Sequence, residues 1–206
     1  MDAAWAHEAR RLAFRYLTEV VERYDFCPWA APARARGELW MEVIDADDAA
    51  GAIERFLAAP GAVIGLIIVP GLPGPPAALR QVRDQLLAGP LGRLVALADF
   101  HPGAELDRSH PSRLVPFLRR APDPMLQAVR HVDLASLHRR PPPMSAADQA
   151  AVLAGKSVPA FHDPIAAVAA TNLATFEAHV AELLPVLDDV HSDRARTYRA
   201  LGVLGT

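Results

Sequence analysis

Residues 63–69, Val-Ile-Gly-Leu-Ile-Ile-Val, are apolar without any alternation. A strand with one wet face alternates with period two, so a short run with no polar side must be covered on both faces. Such a strand needs helices above and below it, which points to a layered α/β arrangement. Its surroundings agree. Leu12, Ala13, Tyr16, Leu17, Val20, Val21 and Tyr24 follow the three-four spacing of a helix with one buried stripe. That helix must stop before Cys27-Pro28, because the residue preceding a proline is pushed out of the helical region.

Further along, residues 39–44 predict a strand, 49–58 a short helix and 77–87 a second helix closed by Gly89-Pro90. Residues 93–102, Arg-Leu-Val-Ala-Leu-Ala-Asp-Phe-His-Pro, predict another buried strand with polar groups at its C-terminal end. Helix and strand alternate throughout this half, the pattern of crossover units and neighbouring parallel strands. After His101 the strand signals end. Residues 108–120 predict a loop and a short helix distorted by Pro116, and Asp123-Pro124 reads as the start of another helix. A helix closed by Gly155 is expected from residue 145, a long helix from Asp163-Pro164, and a last short one over residues 193–201. The expected fold is thus a single α/β domain over residues 1–206. It is a small, mainly parallel β-sheet flanked by helices within residues 1–140, with a helical C-terminal part over 141–206.

Composition narrows the function classes. An apolar fraction of 51 % supports a real core and argues against disorder. The net charge of −3, with no block of like charge, gives no attraction for nucleic acid or acidic membranes. No apolar run approaches the ~20 residues that span a bilayer, and nothing near Met1 resembles a cleavable leader. A soluble cytoplasmic protein is expected. The single cysteine excludes an internal disulfide and any cysteine-rich zinc site. Oligomeric state and cofactor are not legible from the chain.

Four places carry candidate chemistry. Cys27 heads a Cys-Pro-Trp-Ala turn; as a nucleophile or ligand it needs an imidazole or cation nearby, for which His101 and Arg108 are candidates, and otherwise it packs as a small hydrophobe. Asp99 and His101 share one strand face, so the carboxylate can orient the imidazole as a general base or metal ligand; alternatively the ring ties down its loop through backbone hydrogen bonds. Arg108, Arg113, Arg119 and Arg120 either hold a carboxylate or phosphate or form a solvated face. Asn172 interrupts the apolar stripe of the long helix, where it reaches a ligand or satisfies a loop carbonyl. Gly155-Lys156-Ser157 resembles the tail of a phosphate-binding loop, but Ala150 stands where the first glycine is required.

With these residues in view, the chain resembles the bacterial family of unknown function DUF1415. The likeness rests on Cys27-Pro28-Trp29-Ala30, on Phe100-His101-Pro102 at a strand end, on Leu118-Arg119, and on Asp163-Pro164 followed by Asn172-Leu173-Ala174-Thr175. It spans residues 12–175. Arg108-Ser109-His110-Pro111 stands where the family has a longer Asn-Arg-Ser-Pro-Tyr-Pro, and Arg120 replaces a usual Glu. The resemblance implies an α/β fold and a site built from the cysteine, the histidine and the arginine, without implying a reaction. Three functions follow as expectations. The first is an enzyme acting on a small anionic metabolite, with Cys27 as nucleophile, His101 as base, Asp99 as orienter and Arg108 or Arg119 as anion clamp. The second is a non-catalytic small-molecule or metal-binding protein, and the third an interaction module.

Overall fold

The computed structural model describes residues 2–134, 152–154 and 164–203. Helix α1 (Ala3–Tyr16) continues into a π-helical turn, Leu17–Glu22, and a short helix α2 (Ala30–Ala35) follows the Cys27 turn. Then come β1 (Leu39–Val43), α3 (Ala49–Ala58), β2 (Ile64–Ile68), α4 (Pro76–Ala88), β3 (Val95–Phe100), α5 (Pro111–Leu118), β4 (Met125–Arg130) and α6 (Pro164–Ala200).

The four strands form one sheet in the order β1-β2-β4-β3. Strand β2 lies inside it and is buried along its whole length, as its unbroken apolar run requires. Period-two alternation then sorts the side chains into two cores. On one face Leu66, Ile68, Ala98, Phe100 and Met125 pack with α1, α5 and α6. On the other Ile67, Val95, Leu97 and Leu126 pack with α3 and α4. The result is a three-layered α/β/α arrangement.

A mainly parallel sheet was the expectation, and the pairing differs. Only β1 and β2 pair in parallel; β4 pairs antiparallel with both β2 and β3. Strands β1, β2 and β3 run in one direction, but only β1 and β2 are parallel neighbours, because β4 inserts between β2 and β3. Residues 125–130 were expected in a helix begun by Asp123-Pro124. The same dipeptide suits entry into a strand, because the residue before proline favours extended backbone. Here Val69 N donates to Pro124 O at 2.8 Å, and the Asp123 carboxylate caps no helix. It accepts instead from Tyr198 Oη at 2.5 Å and Arg194 Nε at 2.7 Å.

Two further expectations change. The helices over 164–184 and 193–201 are one continuous helix, α6, with Pro185 accommodated inside it. Between Trp29 and Gly37, where the prolines and polar residues predict a loop, the chain forms α2. Of the helix expected from residue 145 to Gly155 only residues 152–154 are described, and Lys156 lies outside the described residues.

Candidate functional site

The Cys27 turn begins where the first helix ends. Asp25 adopts a left-handed φ of 51°, Asp25 N donates to Glu22 O at 3.1 Å, and Phe26 N donates to Val21 O at 2.9 Å. These two bonds satisfy the last carbonyls of the helix and reverse the chain, a termination in which glycine is the usual left-handed residue. Phe26 then tucks into the core, and its carbonyl accepts from Asn172 Nδ2 of α6 at 3.0 Å. Buried Asn172 therefore anchors the residue before Cys27, the loop-carbonyl role of its two expected ones.

Cys27 is half-buried. At the start of α2 the Ala30 N–H donates to the Cys27 carbonyl at 3.0 Å, and the backbone amides of Trp29 and Ala30 lie where they favour the thiolate. Burial pushes the thiol pKa up; those two amides and the positive charge of Arg119 oppose the shift without cancelling it.

Arg119 closes α5. Its backbone is held from two sides, with Tyr16 Oη donating to Leu118 O and His101 N donating to Arg119 O at 3.0 Å. The guanidinium carbon lies 5.5 Å from the centre of the Phe100 ring. Part of the side chain reaches the surface, yet its head is enclosed deeply enough that desolvation lowers its pKa. Asp99, Tyr16 and Cys27 are near enough to favour its charge, and Arg83 to oppose it. None of them bonds to it: among the described residues the guanidinium has neither a hydrogen-bond nor an ion-pair partner.

Asp99 and His101 leave β3 on the other face. Asp99 forms an ion pair with Arg83 of α4. His101 is 7 % exposed and its Nδ1 accepts from Gly103 N at 3.0 Å. Burial lowers its pKa, partly offset by a hydrogen bond with the Gly74 backbone, while Arg80 lowers it further and Asp99 raises it. The ring is thus neutral and engaged with its own loops, as in the loop-tying alternative. Phe100, packed on the Cys27 side, alternates with Asp99 and His101, so Cys27 and His101 belong to opposite faces of the sheet. The cation beside the sulfur is Arg119, not His101 or Arg108.

Arg108 is exposed on the loop after β3 and does not join this group. Among the described residues no cluster of three His, Cys, Asp or Glu side chains could hold a metal ion. Sequence reasoning missed Arg80 and Arg83. A signal existed: α4 has no acidic residue in its first turn, and Arg80 lies near its N-terminus, where the helix dipole disfavours a cation.

Comparison with family models, curated proteins and solved structures finds no match. No described helix is long and apolar enough to cross a membrane.

Proposed function

We propose that this protein binds a small anionic metabolite at Arg119, between Cys27 and Asp99, and that it is a cytoplasmic relative of DUF1415. The observation that carries the reading is the enclosed guanidinium without a bonded partner. Leaving a charge unpaired in a desolvated place costs several kcal/mol, and a carboxylate or phosphate meeting the guanidinium fork would recover much of it. The kinship draws support from position. Cys27, Phe100 and Leu118-Arg119, the segments that carry the resemblance, gather round this guanidinium, and Asn172 holds the loop that delivers Cys27.

Non-catalytic binding is the primary reading, because burial holds the Cys27 thiol protonated and His101 is turned to the other face. Covalent chemistry at Cys27 is the second reading, favoured by the Trp29 and Ala30 backbone and the Arg119 charge, all of which act to lower the thiol pKa. Calorimetric titration with inorganic phosphate and with small mono- and dicarboxylates tests the first. Wild type and the exposed control Arg108→Met should bind a member of this set, and Arg119→Met should not. Equal binding by Arg119→Met would refute the assignment.

A further inference from the structure

Strand β1 ends the sheet, and among the described residues no strand lies along its outer side. Two bonds fix which of its backbone groups face that side. Ile64 N donates to Glu38 O at 3.2 Å and Ile44 N donates to Ile68 O at 2.9 Å, so residues 38 and 44 turn their polar groups towards β2. Backbone direction alternates along a strand. Trp40 and Glu42 therefore face β2 as well, and Leu39, Met41 and Val43 face outwards. Their three N–H and three C=O groups line the edge, and among the described residues nothing bonds them.

A free edge is usually guarded by lysine, proline, a bulge or an inward-pointing charge. Leu39-Trp40-Met41-Glu42-Val43 has no lysine or proline, and its register with β2 is unbroken. Its one charge, Glu42, accepts from Arg55 Nε of α3 at 3.0 Å. The apolar side chains are all half-buried: Leu39, Met41 and Val43 on the α1 face, and Trp40 on the α3 face with its ring centre 5.9 Å from that of Phe56. The other edge strand, β3, carries Ala96, Ala98 and Asp99 instead.

Charge decides what fits this edge. Arg34 and Arg36 precede the strand and Asp45, Asp47 and Asp48 follow it, all of them exposed. A second copy running antiparallel brings the basic flank of each chain to the acidic flank of the other, whereas a parallel copy would set acid on acid. Arg36 bonds neighbouring Glu38 at 2.7 Å, an exposed pair of the kind worth little, and Asp47 has no hydrogen-bond or ion-pair partner among the described residues.

We propose that β1 is the interface of a two-fold dimer, in which it pairs antiparallel with β1 of a second copy and joins the two sheets into one. Only outward-facing residues can exchange bonds across such a pair. Met41 opposite Met41, with Leu39 opposite Val43, is the register that uses every free edge group. It also brings Arg36 of each chain towards the partner's Asp47.

Sedimentation equilibrium on the full chain tests it, with a species of twice the chain mass expected as concentration rises. Arg36→Glu sets acid against Asp47 at both ends of the interface, and Asp47→Arg sets Arg against Arg36. Each should weaken the dimer about tenfold, and an equimolar mixture of the two should restore it, because both end contacts are then of opposite sign. Both positions are exposed, so at concentrations where wild type is monomeric the variants should keep its unfolding midpoint. Met41→Pro removes an outward N–H that the ladder to β2 does not use and should abolish the dimer. Hydrogen exchange at the Leu39, Met41 and Val43 amides should slow on dimerisation, while Trp40 and Glu42, bonded to β2, stay protected in both states. A wild type that remains monomeric at its highest soluble concentration, a mixture no tighter than its two components, or a dimer whose edge amides exchange freely would each overturn the proposal.

Discussion

Replacing Arg119 with Met should make the protein more stable while removing its anion site. The substitution keeps an unbranched apolar stem and deletes an enclosed charge that no described group bonds. What is lost is the interaction with the Phe100 ring at 5.5 Å, worth about 0.5–2 kcal/mol, and attraction to Asp99, which Arg83 already neutralises. What is relieved is a desolvation penalty of several kcal/mol, and replacement of buried charge by apolar side chains often stabilises by about 1–4 kcal/mol. The expected net gain is about 1–3 kcal/mol, or a rise in unfolding temperature of roughly 3–10 °C for a chain of this size. Urea unfolding in a buffer free of phosphate and carboxylates measures it. Adding the binding anion should then raise the wild-type midpoint and leave the variant's unchanged, because only a native-state ligand shifts the equilibrium. A variant destabilised by more than about 1 kcal/mol in the anion-free buffer would show that Arg119 is a structural residue, and the reasoning would fail.

Arg130→Ala should destabilise by about 3–5 kcal/mol, seen as a lower urea midpoint, since its guanidinium donates to the carbonyls of Phe56 and Leu57 in the last turn of α3 and of Ala59 and Ala62 just beyond it, and covers the Phe56 ring. A loss under about 1 kcal/mol would mean that water replaces it. Asn172→Ala leaves the Phe26 carbonyl without its donor and should cost about 1–3 kcal/mol, against little for exposed Glu177→Ala; equal denaturant midpoints would contradict the bond. Asp193, held well below the ordinary carboxylate range chiefly by its hydrogen bond from Arg11, with Arg15 also donating, contributes stability that is present above the unfolded value of about 4 and lost as pH falls below it. The stability difference between wild type and Asp193→Asn should therefore shrink from pH 5 towards pH 2, and a pH-independent difference would be inconsistent. Iodoacetamide should alkylate Cys27 in the folded protein more slowly than a free thiol near neutral pH, Arg119→Met should slow it further, and His101→Ala should have no effect. A slower reaction in the His101 variant would bring back the Cys-His pairing.

Local pattern made much of the molecule legible. The unbroken run at 63–69 specified an inner strand covered on both faces, because a polar residue there would have had no water to meet. The three-four stripe of α1 and the position of Asn172 inside an apolar stripe were equally local facts, and both faces are buried as the spacing demands. The direction of β1, β2 and β3 followed from the helices that connect them.

What the local pattern could not hold was partnership. Residues 125–130 could form a strand or a helix, and only a place between β2 and β3, with edges on both sides to bond, decided for the strand. Cys27, Arg119 and Asp99 were each visible as polar groups, but one residue of strand alternation separates the face of Phe100 from that of His101. Sequence determined which side chains could carry charge and chemistry here. Tertiary packing alone decided that the cation left beside the thiol is an arginine brought there by α5, because contacts between distant segments depend on how layers stack, not on spacing along the chain.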